Sequence, residues 1–212
     1  MDEKIKKLVE SLREFSTPEL CDGCSERRVM DYWIKPWISE KCIVGTALTV
    51  EVPEDDGGFI PTAIEALEAG QVLVIAGKGF NGSSYWGDHR SLCARMQGAE
   101  GVVIDGLFRD LAGCREIGLP IFARGVTPCS AQKKNQGQMN VPVLCGGVEV
   151  RPGDIIVGDI NGVVVLRPEE AEEVLEKTRR KVEAQNYTIS EMQRTGRMIP
   201  RIIWPEKENF YA

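Results

Sequence analysis

Val72-Leu73-Val74-Ile75-Ala76, Val102-Val103-Ile104-Asp105 and Ile121-Phe122-Ala123 are three short apolar runs, mostly β-branched. They are too short for core helices and do not alternate with polar residues, which points to strands covered on both faces. Between them lie Asp88–Gln97 and Arg109–Ile117, both patterned as helices. Strand, helix, strand, helix, strand spells a parallel sheet, so the fold class is α/β.

Reading outward toward the amino terminus, Ile43–Val52 is β-branched and predicts a long strand, and Pro61–Ala69 a short helix. Tyr32, Trp33 and Trp37 mark an aromatic loop. Thr17-Pro18-Glu19 reads as a helix start, with Thr17 as N-cap and Pro18 at the first helical position. Ile5, Leu8, Val9, Leu12 and Phe15 recur at helical spacing, which predicts an amphipathic helix over residues 2–15. Toward the carboxyl terminus, Val141–Leu144, Val148–Val150, Asp154–Val157 and Val163–Leu166 are short strands split by glycine turns, an antiparallel texture. Pro168 opens a last helix with Ala171, Val174, Leu175 and Val182 as its apolar positions. The tail from Arg197 to Ala212, rich in proline and aromatics, is expected to lie on another surface such as a neighbouring subunit. No repeat or linker interrupts the pattern, so residues 1–212 are expected to form a single domain.

Composition removes several classes of function. At 212 residues, 42% hydrophobic and 27% charged, the chain can bury a sizeable core and is not of disordered composition. Its net charge is −6, and its basic clusters are short, Lys133-Lys134 and Arg179-Arg180-Lys181 among them, so nucleic acid is not an expected partner. No apolar run approaches the roughly 18 residues of a membrane span. The start, Met1-Asp2-Glu3-Lys4, is charged and shows no secretory pattern. Seven cysteines, an odd number in scattered apolar contexts, suit reduced thiols, and the expected location is the cytoplasm.

Two motifs suggest other chemistry, nucleotide binding at Gly77–Gly82 and metal or redox use at Cys21–Cys24, and their contexts weigh against both. Gly77-Lys78-Gly79-Phe80-Asn81-Gly82 fits the dinucleotide fingerprint, but Ser83-Ser84-Tyr85-Trp86-Gly87 intervenes before any helix can begin. A phosphate there would meet a loop instead of a helix N-terminus. Cys21-Asp22-Gly23-Cys24 stands alone, without the second ligand pair that structural zinc needs. The chain has one histidine and no G-x-S-x-G elbow.

The stretch that carries chemistry is Trp86-Gly87-Asp88-His89-Arg90, followed by Val103-Ile104-Asp105-Gly106-Leu107-Phe108-Arg109-Asp110. Gly87-Asp88 opens one helix and Arg109-Asp110 the next, so both should reach the carboxyl edge of the sheet, where sites collect. A carboxylate with open coordination positions suits Mg²⁺ or Mn²⁺ bound mainly through water. An adjacent arginine forks onto a substrate carboxylate, and N–H groups at the helix start near 88–90 receive a further anionic oxygen. The plainer alternative is two N-caps and a surface ion pair.

These segments resemble the RraA-like family. So do Ser16-Thr17-Pro18-Glu19-Leu20-Cys21-Asp22-Gly23, Gly45-Thr46-Ala47-Leu48-Thr49-Val50, Gly118-Leu119-Pro120-Ile121-Phe122-Ala123, Pro152-Gly153-Asp154-Ile155-Ile156-Val157-Gly158-Asp159 and Gly162-Val163-Val164-Val165. The resemblance spans roughly residues 16–185. That family holds metal-dependent (class II) 4-hydroxy-4-methyl-2-oxoglutarate aldolases, oxaloacetate decarboxylases, and non-catalytic regulators of ribonuclease E. The aldolase branch is marked by D-x20-R-D. Here twenty residues separate Asp88 from Arg109, and Asp110 follows. The regulator branch has glycine in place of Asp88.

The resemblance implies a three-layer β/β/α sandwich assembled as a trimeric or hexameric ring. It implies Asp110 as holder of a divalent cation (Mg²⁺ or Mn²⁺), Arg109 as the group that grips a small 2-oxo acid and steadies the enolate, and Asp88 as the group that orders water. Gly87 and the backbone near His89 and Arg90 would bind the substrate carboxylate. His89 and Arg90 depart from the family, where an apolar residue usually follows Gly-Asp. Glu183 is a candidate for completing a neighbour's site. Asp154 and Asp159 read as turn-formers.

Overall fold

A computed structural model describes residues 2–77 and 82–205. The helices are α1 (Glu3–Leu12), α2 (Thr17–Gly23), α3 (Ile60–Glu65), α4 (Asp88–Met96), α5 (Leu111–Ile117) and α6 (Ala171–Thr195). The strands are β1 (Lys35–Ile38), β2 (Ile43–Val52), β3 (Gln71–Gly77), β4 (Ser84–Trp86), β5 (Gly101–Phe108), β6 (Ile121–Val126), β7 (Gln138–Met139), β8 (Val143–Cys145), β9 (Val148–Val150), β10 (Ile155–Asp159) and β11 (Gly162–Leu166). The main sheet runs β1-β6-β5-β3-β2-β10-β11, with β4 on β5 and β7 on β2, and β8 and β9 form a separate ribbon. β2, β3, β5 and β6 are mutually parallel, as the apolar runs predict. β1, β10 and β11 join antiparallel.

Alternate residues of the parallel strands feed two cores. Leu73, Ile75, Val102, Ile104 and Ile121 pack against the side bearing α3, α4 and α5. Val72, Val74, Val103 and Phe122 face the other way and meet Ile156, Val163 and Val165 of β10 and β11. The sheet therefore curls until its antiparallel end lies across from its parallel middle. Gly158 makes this possible, since a Cβ there would lie 2.9 Å from the ring of Phe122. The outward residues of β10 and β11 (Ile155, Val157, Val164, Leu166) are covered by α1, α2 and α6. A helical layer, a parallel layer and a curled antiparallel layer give the β/β/α sandwich, with α1, α2 and α6 on its outer face.

Several boundaries differ from the sequence reading. Ser16, not Thr17, caps α2: Glu19 accepts hydrogen bonds from the Ser16 backbone N–H at 2.8 Å and its hydroxyl at 2.7 Å. Thr17 is released to donate to Asp159 from both its N–H (2.8 Å) and its hydroxyl (2.7 Å). The first helix stops at Leu12 rather than 15, and α5 begins at Leu111, leaving Arg109 outside it. The aromatic loop contains β1, in which Trp37 donates to the Ala123 carbonyl at 3.1 Å. The described part of the tail turns back on this chain's own α6, where the Ile203 N–H donates to the Thr188 hydroxyl at 2.9 Å. Lys78-Gly79-Phe80-Asn81 of the glycine motif and residues 206–212 lie outside the described residues. Among the described residues no helix is long and apolar enough to cross a membrane.

Candidate active site

The decisive local feature is β4, a short strand that runs parallel to the end of β5, with Ser84 opposite Leu107 and Trp86 opposite Phe108. Two parallel strands thus finish side by side, and each delivers its chain into a helix: β4 through Gly87 into α4, β5 through Arg109-Asp110 into α5. A hydrogen bond from the Arg109 N–H to the Trp86 carbonyl (3.0 Å) ties the two exits together. The carboxylates at the two helix starts become neighbours because their strands are neighbours.

Two glycines set the spacing. A Cβ on Gly87 would stand 2.6 Å from Oδ2 of Asp110, and a Cβ on Gly113 would stand 2.7 Å from Oδ2 of Asp88. Each carboxylate rests on the other exit, where any larger residue would collide. Gly87 has extended backbone geometry (φ −168°) open to any residue, so its requirement is one of space. Asp110 takes the left-handed conformation (φ 57°, ψ 43°), uncommon outside glycine but tolerated by Asp, which swings its side chain back over Gly87. Arg109 Nε pairs with Asp110 Oδ2 at 3.2 Å. Asp88 Oδ1 accepts the backbone N–H of His89 at 2.7 Å. Below them, the indole N–H of Trp86 donates to Ser91 Oγ (2.8 Å), whose hydroxyl lies 3.0 Å from the Gly87 carbonyl, fixing the turn.

These residues line a cleft of about 380 Å³ whose walls also include Gly57, Ser84, Ser130 and Lys133. Arg90 donates from Nη1 to the Tyr85 carbonyl and from Nη2 to that of Gly57 (2.6 Å), and its guanidinium lies against the Gly57 backbone. Burial, and then the like charge of Arg109, push its pKa down. Asp56 organises the facing loop by accepting N–H groups from Gly58 (2.8 Å), Lys134 (3.0 Å) and Gln136 (3.0 Å). Burial works against its ionisation, but these hydrogen bonds prevail and lower its pKa.

The structure therefore brings Gly87, Asp88, His89, Arg90, Arg109 and Asp110 to one cleft. His89 is exposed, and its N–H is engaged by Asp88 rather than free for a ligand. Other acidic residues of the quoted motifs have structural work. Asp105 bonds Arg124 and the Gly146 N–H (2.7 Å). Asp154 accepts the Arg151 N–H (2.7 Å) and pairs with Arg167. Asp159 holds Thr17 and the Asn161 N–H (2.7 Å). Cys21 and Cys24 are half-buried, and burial pushes the Cys24 thiol up to about 11, far from a reactive thiolate. Glu183 is exposed on α6 and does not line this cleft. Sequence reasoning missed Ser84, Gly57 and Lys133, which reach the cleft from β4 and from two separate loops without a shared local pattern.

The donor set fits a hard divalent cation. Asp88 and Asp110 offer carboxylate oxygens, and Asp110 keeps 40% of its side chain exposed. Among the described residues no three His, Cys, Asp or Glu side chains cluster as a complete cage. Such a cation would be held by Asp110, with water completing its shell as Mg²⁺ prefers, and Asp88 would bind that water.

The fold and site together are a curled α/β sheet with an acid–arginine–acid cleft at the ends of adjacent parallel strands. The chain belongs to the RraA-like family, whose model, described as Aldolase/RraA, matches residues 17–165. It is 39% identical over 170 residues to an uncharacterized protein of Methanocaldococcus jannaschii, covering 79% of this chain and 80% of that one. It is 38% identical over 161 residues to a protein of Halalkalibacterium halodurans provisionally named 4-hydroxy-4-methyl-2-oxoglutarate aldolase, covering 74% and 77%. The RNA-processing inhibitor RraA from Thermus thermophilis has a similar structure, with TM-score 0.67, 28% identity, and 72% and 93% of the two chains covered.

Proposed function

We propose that this chain is a divalent-cation-dependent lyase that cleaves a 4-hydroxy-2-oxo acid of the 4-hydroxy-4-methyl-2-oxoglutarate type to pyruvate, and decarboxylates oxaloacetate through the same enolate. The observation that carries this reading is the convergence of Asp88, Arg109 and Asp110 on one cleft, with Gly87 and Gly113 making room for the two carboxylates. The provisional name of the Halalkalibacterium relative points the same way.

A cation held by Asp110 would supply Lewis-acid polarisation of the 2-oxo group. Arg109 donates hydrogen bonds to the 2-oxo acid and stabilises the negative charge that grows on the C2 oxygen. Asp88 would order the water through which the proton of the C4 hydroxyl leaves and from which C3 is later protonated. The O–H electrons form the new C4 carbonyl, the C3–C4 bond breaks, and its electron pair becomes the C2–C3 double bond of pyruvate enolate. Protonation at C3 yields pyruvate. With oxaloacetate the same bond breaks with loss of CO₂ and reaches the same enolate.

A regulator that binds ribonuclease E is the second reading, favoured by the RraA neighbour from Thermus. Asp88, seated against a glycine that accommodates it, favours the lyase. A panel of 2-oxo acids scored for pyruvate by coupled lactate dehydrogenase, with and without chelator, separates the two. The lyase reading expects chelator-sensitive pyruvate release that Arg109→Ala and Asp110→Ala abolish. Full activity in either variant, or ribonuclease E capture without any release, refutes it. Assembly as a trimeric or hexameric ring belongs to the same proposal, and sedimentation equilibrium measures it.

A further inference from the structure

Arg90 is the charge in the cleft that the chemistry above leaves unused. Asp110 is paired with Arg109, and Asp88 is engaged by the His89 N–H. Among the described residues no carboxylate pairs with Arg90, and the charged group it feels is another arginine, Arg109. A largely buried cation without a counter-ion is costly. Here two carbonyls, of Tyr85 and Gly57, anchor the guanidinium without neutralising it, and its remaining N–H groups have no partner among the described residues. Two further observations fall on the same cleft. Lys133 stands on its rim, on the loop that Asp56 fixes beside Gly57 and Gly58. Ser84 lines it, 4% exposed, with a hydroxyl that has no hydrogen-bond partner among the described residues. A buried hydroxyl without a partner asks for one.

We infer that Arg90, Lys133 and Ser84 form a second oxyanion subsite, which takes a negatively charged group at the end of the substrate remote from the 2-oxo acid. The inference rests on the proposed lyase reading only for what occupies Arg109; the subsite itself follows from the unpaired cations. A carboxylate and a phosphate share the required chemistry, a planar or tetrahedral oxyanion for bidentate guanidinium contact.

The test is binding, so it does not depend on turnover. Isothermal titration calorimetry in Mg²⁺ compares 2-oxoglutarate with 2-oxopentanoate, which has the same chain length but lacks the second carboxylate, and with the 4-phosphonate analogue of 2-oxoglutarate. The wild-type protein should bind the dianionic ligands roughly 10- to 100-fold more tightly, the span of a charge-assisted contact. Whichever of carboxylate and phosphonate binds more tightly identifies the preferred oxyanion. Arg90→Gln should shrink that preference at least about tenfold, and Arg90→Lys should keep part of it. Equal wild-type affinity for 2-oxoglutarate and 2-oxopentanoate overturns the inference, as does an Arg90→Gln loss equal for both ligands. A persistent preference in a protein that releases no pyruvate leaves the subsite standing and removes the lyase. Pyruvate release without a preference does the reverse.

Discussion

Gly87→Ala isolates the position of one carboxylate from everything else in the fold. The added methyl would sit 2.6 Å from Asp110 Oδ2, about 0.8 Å inside the 3.4 Å at which ordinary contact begins. The backbone of Gly87 is extended and admits alanine without strain, and the group that must yield is the end of a half-exposed side chain. Stability should therefore change by less than about 1 kcal/mol, because loss of glycine's freedom in the unfolded chain offsets part of the crowding. Activity should fall far more. Displacing a reacting group by about 1 Å typically costs on the order of 100-fold, so kcat/KM for pyruvate release should drop by about that factor. The assay pairs lactate-dehydrogenase-coupled turnover with thermal unfolding of the same preparation. Full turnover in the variant would mean that the place of Asp110 over Gly87 is irrelevant to catalysis. A large fall in melting temperature would mean that Gly87 serves packing instead.

Gly113→Ala makes the matching intrusion on Asp88, 2.7 Å from its Oδ2 and 2.8 Å from its Cβ. Turnover should fall by a similar factor, whereas unchanged turnover would detach Asp88 from the reaction. Phe122→Ala should cost about 3–5 kcal/mol in urea unfolding, since this fully buried ring spans the two arms of the curled sheet; a cost under about 1 kcal/mol would contradict that closure. Asp159→Asn tests acid stability. Burial opposes ionisation of Asp159, but hydrogen bonds from Thr17 and Asn161 prevail and hold its pKa below the ordinary carboxylate value. The stability this adds is fully present above pH about 4 and lost as pH falls through the depressed value. Denaturant midpoints measured from neutral pH downward should therefore decline less steeply for Asp159→Asn than for wild type, and parallel curves would refute the assignment.

The parallel core is legible in the sequence because strands covered on both faces must be apolar throughout, and Val72–Ala76 and Val102–Ile104 have no other soluble use. The helix starts beside Asp88 and Asp110 are legible for a related reason: acidic residues favour the N-cap and the first turn, and each follows a strand. The curl of the sheet is not legible, because nothing local says that Gly158 must admit the ring of Phe122. β4 is hidden because three residues after a glycine-rich stretch carry no period, although this strand is what sets Asp88 beside Asp110. Arg90 is named by its place in the helix start, but its anchoring is not. The Gly57 carbonyl and the loop of Lys133 arrive through tertiary contacts that Asp56 organises. The capping of α2 shows the limit at single residues. Ser16 and Thr17 are both good caps, and the choice falls to Glu19 reaching back and Asp159 reaching across.

The most direct test of the central claim is a crystal structure of the protein grown with Mg²⁺ and pyruvate. The account predicts pyruvate in the cleft with its oxygens on Arg109, the cation beside Asp110, and Asp88 in reach of the coordinated water. Pyruvate bound elsewhere, or Arg109 and Asp110 turned apart toward bulk solvent with the ligand present, would contradict it.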